Sequence, residues 1–284
     1  MSTPSITVTV DPTNPGQFFA CCGLLELADR LWPGAEGWFG AGGLEFHVAC
    51  GEHKLEELLS AIRKLQLANP VEDDEDGSEE AEDDDIASFE PMIITSPVTL
   101  QLDWWQEKGL KPWAGSMKAP VIAIAMARGV DSNISDPLNQ ATVVRDPDKV
   151  VLAKGGRERI VIGKPREPFY FDARRGTNVL DRDVGFVPDS LKKAYKVYTF
   201  AYPVVEIFSL IGLQRGRPRP TMKPRVYDYF TWTFPINPVV LPAAVIGNIG
   251  DSKALGFRFR NAFRTGQRKH KTFTPAIPLS KGAD

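Results

Sequence analysis

The sequence predicts an α+β fold: a ferredoxin-like, RRM-type βαββαβ N-terminal unit over residues 1–105, elaborated by a basic mixed α+β second half over 106–284. Three observations support this. The periodic segments of the first hundred residues fall in the order β-α-β-β-α-β. The residues outside the first strand and helix continue to alternate short extended and helical patterns up to the C-terminus. No Gly- or Ser-rich linker divides the halves, so they can share one core.

Ser5 to Val10 (SITVTV) alternates β-branched and small residues, as a strand does. Asn14 suits a helix N-cap and Pro15 the first helical position. Phe18, Cys21, Cys22, Leu25 and Ala28 then follow the three-and-four spacing of a buried face, and Pro33-Gly34 stops the helix. Short strands are expected over Gly37–Phe39 and Leu44–Ala49, and a second amphipathic helix over Lys54–Leu67. The last strand, or pair of strands, is expected in Met92–Trp104. In the second half, Met117–Gly129 reads as a helix after Pro120, and Val150–Ala153 with Arg159–Ile162 as a hairpin. Phe169–Ala173 is strand-like, Ala201–Leu213 is a buried helix, and Val226–Ile236 and Leu255–Phe263 alternate as strands.

The net charge of −2 conceals a strong asymmetry. Val71 to Ile86 (VEDDEDGSEEAEDDDI) holds 11 acidic residues and no Lys or Arg, which leaves 34 basic against 25 acidic residues elsewhere. Residues 71–86 have too few apolar groups to fold alone and are expected to be a disordered insertion. Arg145 to Lys271 carries 25 basic against 11 acidic residues. This pattern points to a polyanion partner, although a solvated charged surface has the same composition. The cysteines Cys21, Cys22 and Cys50 lack zinc spacing, and two are adjacent; they read as reduced core thiols of a cytoplasmic protein. The N-terminus does not resemble a signal peptide, and no apolar run reaches membrane-spanning length, so no membrane partner is expected.

Three segments are candidates for nucleic-acid contact. Leu213–Arg225 (LQRGRPRPTMKPR) sets Arg215, Arg217, Arg219, Lys223 and Arg225 among Gly and Pro, which rules out a regular helix and presents guanidinium forks suited to phosphate. A loop packed by ion pairs would read the same way. In Phe257–Lys271 (FRFRNAFRTGQRKHK), a strand would turn Phe257 and Phe259 inward and Arg258, Arg260 and Arg264 outward, with Arg268, Lys269 and Lys271 continuing into a basic loop. In LDWWQEKGLKPWAGSMK, Lys111, Trp113 and Lys118 form a candidate base-stacking loop, whereas Trp104 is expected to pack.

Catalytic signals are poor. His47, His53 and His270 form no metal-binding pattern, and there is neither a Walker A loop nor a GxSxG motif. Asp172, Asp181 and Asp183 lie among arginines, which suits salt bridges better than a metal. No catalytic residue, metal or cofactor is assigned.

Several segments in order resemble a CRISPR-associated family of the subtype I-U/I-G systems. They are NPGQFFACCGLLELADRLW with AEGWF, LDWW with LKPWAGSMKAP, FYFDARR, DVGF, YPVVEIFSLIGLQRGRPRP, and FRFRNAF with FTPAIPL. They span residues 14 to about 279, nearly the whole chain. The resemblance implies an accessory or RAMP-superfamily component of a Cascade-type complex with an RRM-like fold. It implies that crRNA or target DNA, other Cas subunits and the helicase-nuclease are partners. RAMP proteins often carry a glycine-rich loop near the C-terminus; the nearest matches here are Gly212 with Gly216 and Gly247-Asn248-Ile249-Gly250.

Overall fold

The computed structural model describes residues 3–68, 91–113, 119–146, 149–152, 158–161, 163, 166–175, 200–263 and 271–280. The organising element is helix α1 (Pro15–Leu31). Asn14 caps it through a side-chain oxygen that accepts from Gly16 N, and Pro15 occupies the first turn. Every residue from Pro15 to Ala28 is buried, so α1 is enclosed on all sides and not merely on one apolar stripe.

Strands β1 (Ile6–Thr9), β2 (Glu36–Phe39) and β3 (Glu45–Ala49) form an antiparallel sheet of order β1-β3-β2. Ile6, Val8, Phe39, Phe46 and Val48 are its buried side chains. Gly37 N donates to Ile236 O at 2.8 Å, Ile236 N to Gly37 O at 3.1 Å, and Phe39 N to Trp232 O at 2.8 Å. The far end of the chain therefore extends the first sheet beyond β2. Phe18 of α1 stacks on Phe39 at 5.4 Å on one side and packs against Tyr229 at 4.4 Å on the other. One contiguous buried cluster runs from Ile6 to Ala276.

The fold is mixed α+β, and the strands expected to close the βαββαβ unit are not paired with the first sheet. Helix α2 (Leu55–Arg63) ends earlier than its apolar spacing suggests. The chain then becomes extended as β4 (Gln66–Leu67) and pairs with β5 (Met92–Ser96), which pairs with β6 (Leu100–Leu102). The strands expected to close the first sheet thus make a separate sheet of order β4-β5-β6. Trp104 follows, with no exposed surface, and donates its indole N–H to Leu210 O at 2.9 Å.

The second half begins with α3 (Ala119–Arg128) and the hairpin β7 (Lys149–Leu152) and β8 (Glu158–Val161), both near their expected positions. Phe169–Ala173 is not a strand. Tyr170 adopts a left-handed φ of 70°, and the amide N–H groups of Phe171 and Asp172 point to the Glu206 carboxyl instead of to a neighbouring strand. Helix α4 (Pro203–Gly212) is entirely buried and packs along α1. Ser209 Oγ donates to Gly16 O at 2.7 Å across that seam.

The remaining strands are β9 (Arg219–Pro220), β10 (Val226–Phe230), β11 (Gly256–Phe263), β12 (Lys271–Phe273) and β13 (Ile277–Pro278). They form a sheet of order β12-β11-β10-β9, with β13 also on β11. Strand β10 stops at Phe230, short of the expected Ile236, because the following residues leave this sheet to reach β2. Between them, helix α5 (Leu241–Val245) packs on β10. No helix among the described residues is long and apolar enough to cross a membrane. The acidic run 71–86 lies outside the described residues.

Candidate nucleic-acid interface

Strand β11 supplies the central row of the candidate interface. Its alternation buries Phe257, Phe259 and Asn261 and exposes Arg258 and Arg260. The period of two in a pleated strand makes this division unavoidable once the phenylalanines enter the core. Phe259 lies 5.9 Å from Phe19 and 4.8 Å from Phe273.

Across the sheet, Asp228 pairs in register with Arg258 on one side and Arg219 on the other, and Val226 pairs with Arg260. Arg258 grips the Asp228 carboxylate through Nε at 2.7 Å and a terminal nitrogen at 2.9 Å, while Arg219 approaches at 3.3 Å. Burial pushes the Asp228 carboxyl up, but the hydrogen bonds from Arg258 and Arg219 outweigh it and hold the group below its ordinary range. The guanidinium of Arg219 also lies 5.3 Å over the Phe230 ring. Arg260 and Lys223 are exposed and form no ion pair among the described residues. One carboxylate thus sits among four cationic side chains on this face and its adjoining turn.

The structure separates the other candidates. Arg215 places Nε 2.6 Å from Glu26 Oε2, off the direction of a hydrogen bond, while Arg30 bonds Glu26 Oε1 at 2.7 Å. Arg217 lies between Asp103 and Glu107, at 3.5 and 3.2 Å. Those two arginines are matched by acids contributed from α1 and from the turn after β6. Lys111 and Trp113 do not form an exposed stacking loop: they are only 8% and 4% exposed. Trp113 lies 5.1 Å from Phe169 and 5.6 Å from Trp104, inside an aromatic cluster that Phe171 completes. Lys271 is half-buried and donates its ammonium to Lys108 O at 3.1 Å. Lys118, Arg264, Arg268 and Lys269 lie outside the described residues.

Residues the sequence did not single out organise the site. Asp228 orients two arginines; its place on the polar side of the VYDYF alternation was the available signal. Glu26, 2% exposed in the buried part of α1, captures Arg215. Substituting Arg215→Ala is expected to lower stability by about 2 kcal/mol, because a buried carboxylate loses one of two charged partners. Nucleic-acid affinity should stay unchanged. Urea denaturation and oligonucleotide titration of the same variant check both.

Asp172, considered above as a metal ligand, instead binds the Arg174 guanidinium at 2.9 and 2.6 Å and accepts from Asn14 Nδ2 at 3.0 Å. Among the described residues, no three His, Cys, Asp or Glu side chains converge as a metal site. Burial pushes the Cys21 and Cys22 thiols far above their ordinary values, so both are unreactive core groups.

No family model matches the chain. No curated protein and no solved structure matches it either.

Proposed function

We propose that the protein is a non-catalytic, nucleic-acid-binding subunit of a type I CRISPR interference complex that holds crRNA or target DNA. The observation carrying this reading is the outer face of β9, β10 and β11, where Arg219, Arg258 and Arg260 with Lys223 outnumber the single carboxylate of Asp228. Guanidinium groups fixed on a rigid sheet suit a phosphodiester backbone, and such contacts carry no sequence preference. The sequence resemblance supplies the setting: a cytoplasmic Cascade-type complex with other Cas subunits and the helicase-nuclease as partners.

The decisive experiment is fluorescence anisotropy with labelled single-stranded RNA and DNA between roughly 50 and 200 mM salt. The wild-type protein should bind with a steep salt dependence. Arg260→Glu combined with Lys223→Glu should weaken binding about a hundredfold and reduce the log–log salt slope by about two. Both residues are exposed, so the fold should be unaffected. Unchanged affinity would remove this face from the interface, and magnesium-dependent cleavage of either strand would overturn the non-catalytic reading.

A second reading is an adaptor that docks the helicase-nuclease or another subunit. It is favoured by Met222, fully exposed at the β9–β10 turn, and Ile277, 63% exposed and paired in register with Arg258. An adaptor would co-purify with a Cas partner and show no affinity for either nucleic acid.

A further inference from the structure

The segments that carry Arg225, Lys111 and Lys271 meet where β11 pairs with β12, and the charges of Lys111 and Arg225 act on the Lys271 ammonium. Lys271 opens β12 and pairs in register with Phe263. The Arg225 guanidinium lies 4.7 Å over that same Phe263 ring. Lys111 belongs to the turn before Trp113, with its ammonium 5.4 Å from the Trp113 ring. Asn261 pins the arrangement together. Its side-chain amide donates to the carbonyls of Gly109, Leu110 and Lys111 at 2.9, 3.0 and 3.2 Å, and its backbone N–H donates to Arg225 O at 2.9 Å. Lys271 closes the group by donating its backbone N–H to Pro112 O at 3.0 Å and its ammonium to Lys108 O.

Arg225 takes a left-handed φ of 59° in the β9–β10 turn, which Val226 N closes by donating to Lys223 O at 3.2 Å. Two features of this junction are costly without a ligand. The Arg225 Nε is buried and makes no hydrogen bond. Like charges gathered in partly buried surroundings also repel more strongly than they would in water.

We propose that Arg225, Lys271 and Lys111 form a discrete oxyanion site that takes a single phosphate group. That the phosphate belongs to a nucleic-acid backbone rests on the reading above; the anion site itself does not. Guanidinium and ammonium donors from the three segments would share the charge of one phosphate, and Arg225 Nε would gain the partner it lacks.

The charges around Lys271 give the site a distinctive pH response. Burial, and then the like charges of Lys111 and Arg225, press its ammonium down to about 8. From β10, Tyr227 faces the same region, its hydroxyl pushed up to about 12 by burial and then by the charge of Glu107. Glu107 itself lies against Arg217. Lys108 contributes a carbonyl to Lys271. An anion should therefore bind well at neutral pH and weaken as the pH rises through about 8, where Lys271 loses its proton.

The test uses the full chain and sulfate, whose charge is constant over this range, with chloride at matched ionic strength as the control. Sulfate should raise the melting temperature saturably at pH 7 and not at pH 9. Lys271→Met should abolish the saturable effect at both pH values. Lys271→Arg should restore it and extend it to pH 9, which a merely structural lysine would not do. Single-stranded RNA, titrated in parallel at pH 7, should bind Lys271→Met about tenfold more weakly, with the salt slope reduced by about one. Loss of the sulfate effect with unchanged RNA affinity would keep the site and assign it to a free oxyanion. The same sulfate response in wild type and Lys271→Met, or none in either, overturns the site. Neither of those results touches the sheet face, whose own variants Arg260→Glu and Lys223→Glu report on it separately.

Discussion

Gly23→Ala is expected to destabilise the protein by about 3 kcal/mol or more. A Cβ at Gly23 would overlap the Phe208 carbonyl of α4, and one at Gly212 would overlap the Phe19 carbonyl of α1. The two helices therefore touch backbone to backbone. Here the obstacle is main chain, which cannot rotate away as a flexible side chain can. Relief requires the helices to separate, and every residue from Pro203 to Gly212 and from Pro15 to Ala28 is packed against something. Ser209 would also lose its hydrogen bond to Gly16 O, leaving buried polar atoms unpaired. Gly212→Ala should cost a similar amount. Once the seam has been opened by one substitution, the second costs less, so the double variant should fall short of additivity. Urea midpoints with an unchanged m-value would measure this; a loss below about 1 kcal/mol would show that the helices have room to spare.

Stability is expected to fall as pH rises from about 5 to 9, and Glu206→Gln should flatten that dependence. Glu206 is fully buried in the first turn of α4, where it accepts from Phe171 N at 3.3 Å and Asp172 N at 3.2 Å. Burial raises its carboxyl to about 8; the backbone N–H of Asp172 pulls down and the Asp172 charge pushes up. An unfolded glutamic acid titrates near 4.3. Between those values the folded state holds a proton that the unfolded state has released. The contribution is therefore fully present below the unfolded value and is lost as the pH passes through the folded one. The loss is on the order of 5 kcal/mol when complete. Glutamine keeps the shape and cannot titrate. Denaturation midpoints at pH 5, 7 and 9 test this directly, and an equal slope in Glu206→Gln would place the pH dependence elsewhere. The effect matters for the fold because Asp172, Arg174 and Asn14 join the entry to α1 with the 170–174 turn in the same buried network.

Local sequence rules determined a good part of this protein. Asn14 and Pro15 start α1 because a cap needs only its own neighbouring amides. The outward arginines of β11 follow from strand periodicity alone, since burying Phe257 and Phe259 forces Arg258 and Arg260 to the other side. The tertiary structure decided what those arginines meet. Arg217 and Glu107 are 110 residues apart, and no local pattern shows that they pair. The same holds for Arg215 with Glu26, so that of five basic residues in one short loop, two are matched by acids and Arg219 joins a charged sheet face. Strand pairing was equally hidden. The segments after α2 look as suited to the edge of the first sheet as to a sheet of their own, and the first sheet instead bonds to the stretch ending at Ile236. Burial of Trp113 and Lys111 depended on an aromatic cluster that joins the 104–113 segment to Phe169, more than fifty residues away. Periodicity sets which way a side chain points; only the packed chain sets which charge or ring lies opposite, because that partner is near in space and far in sequence.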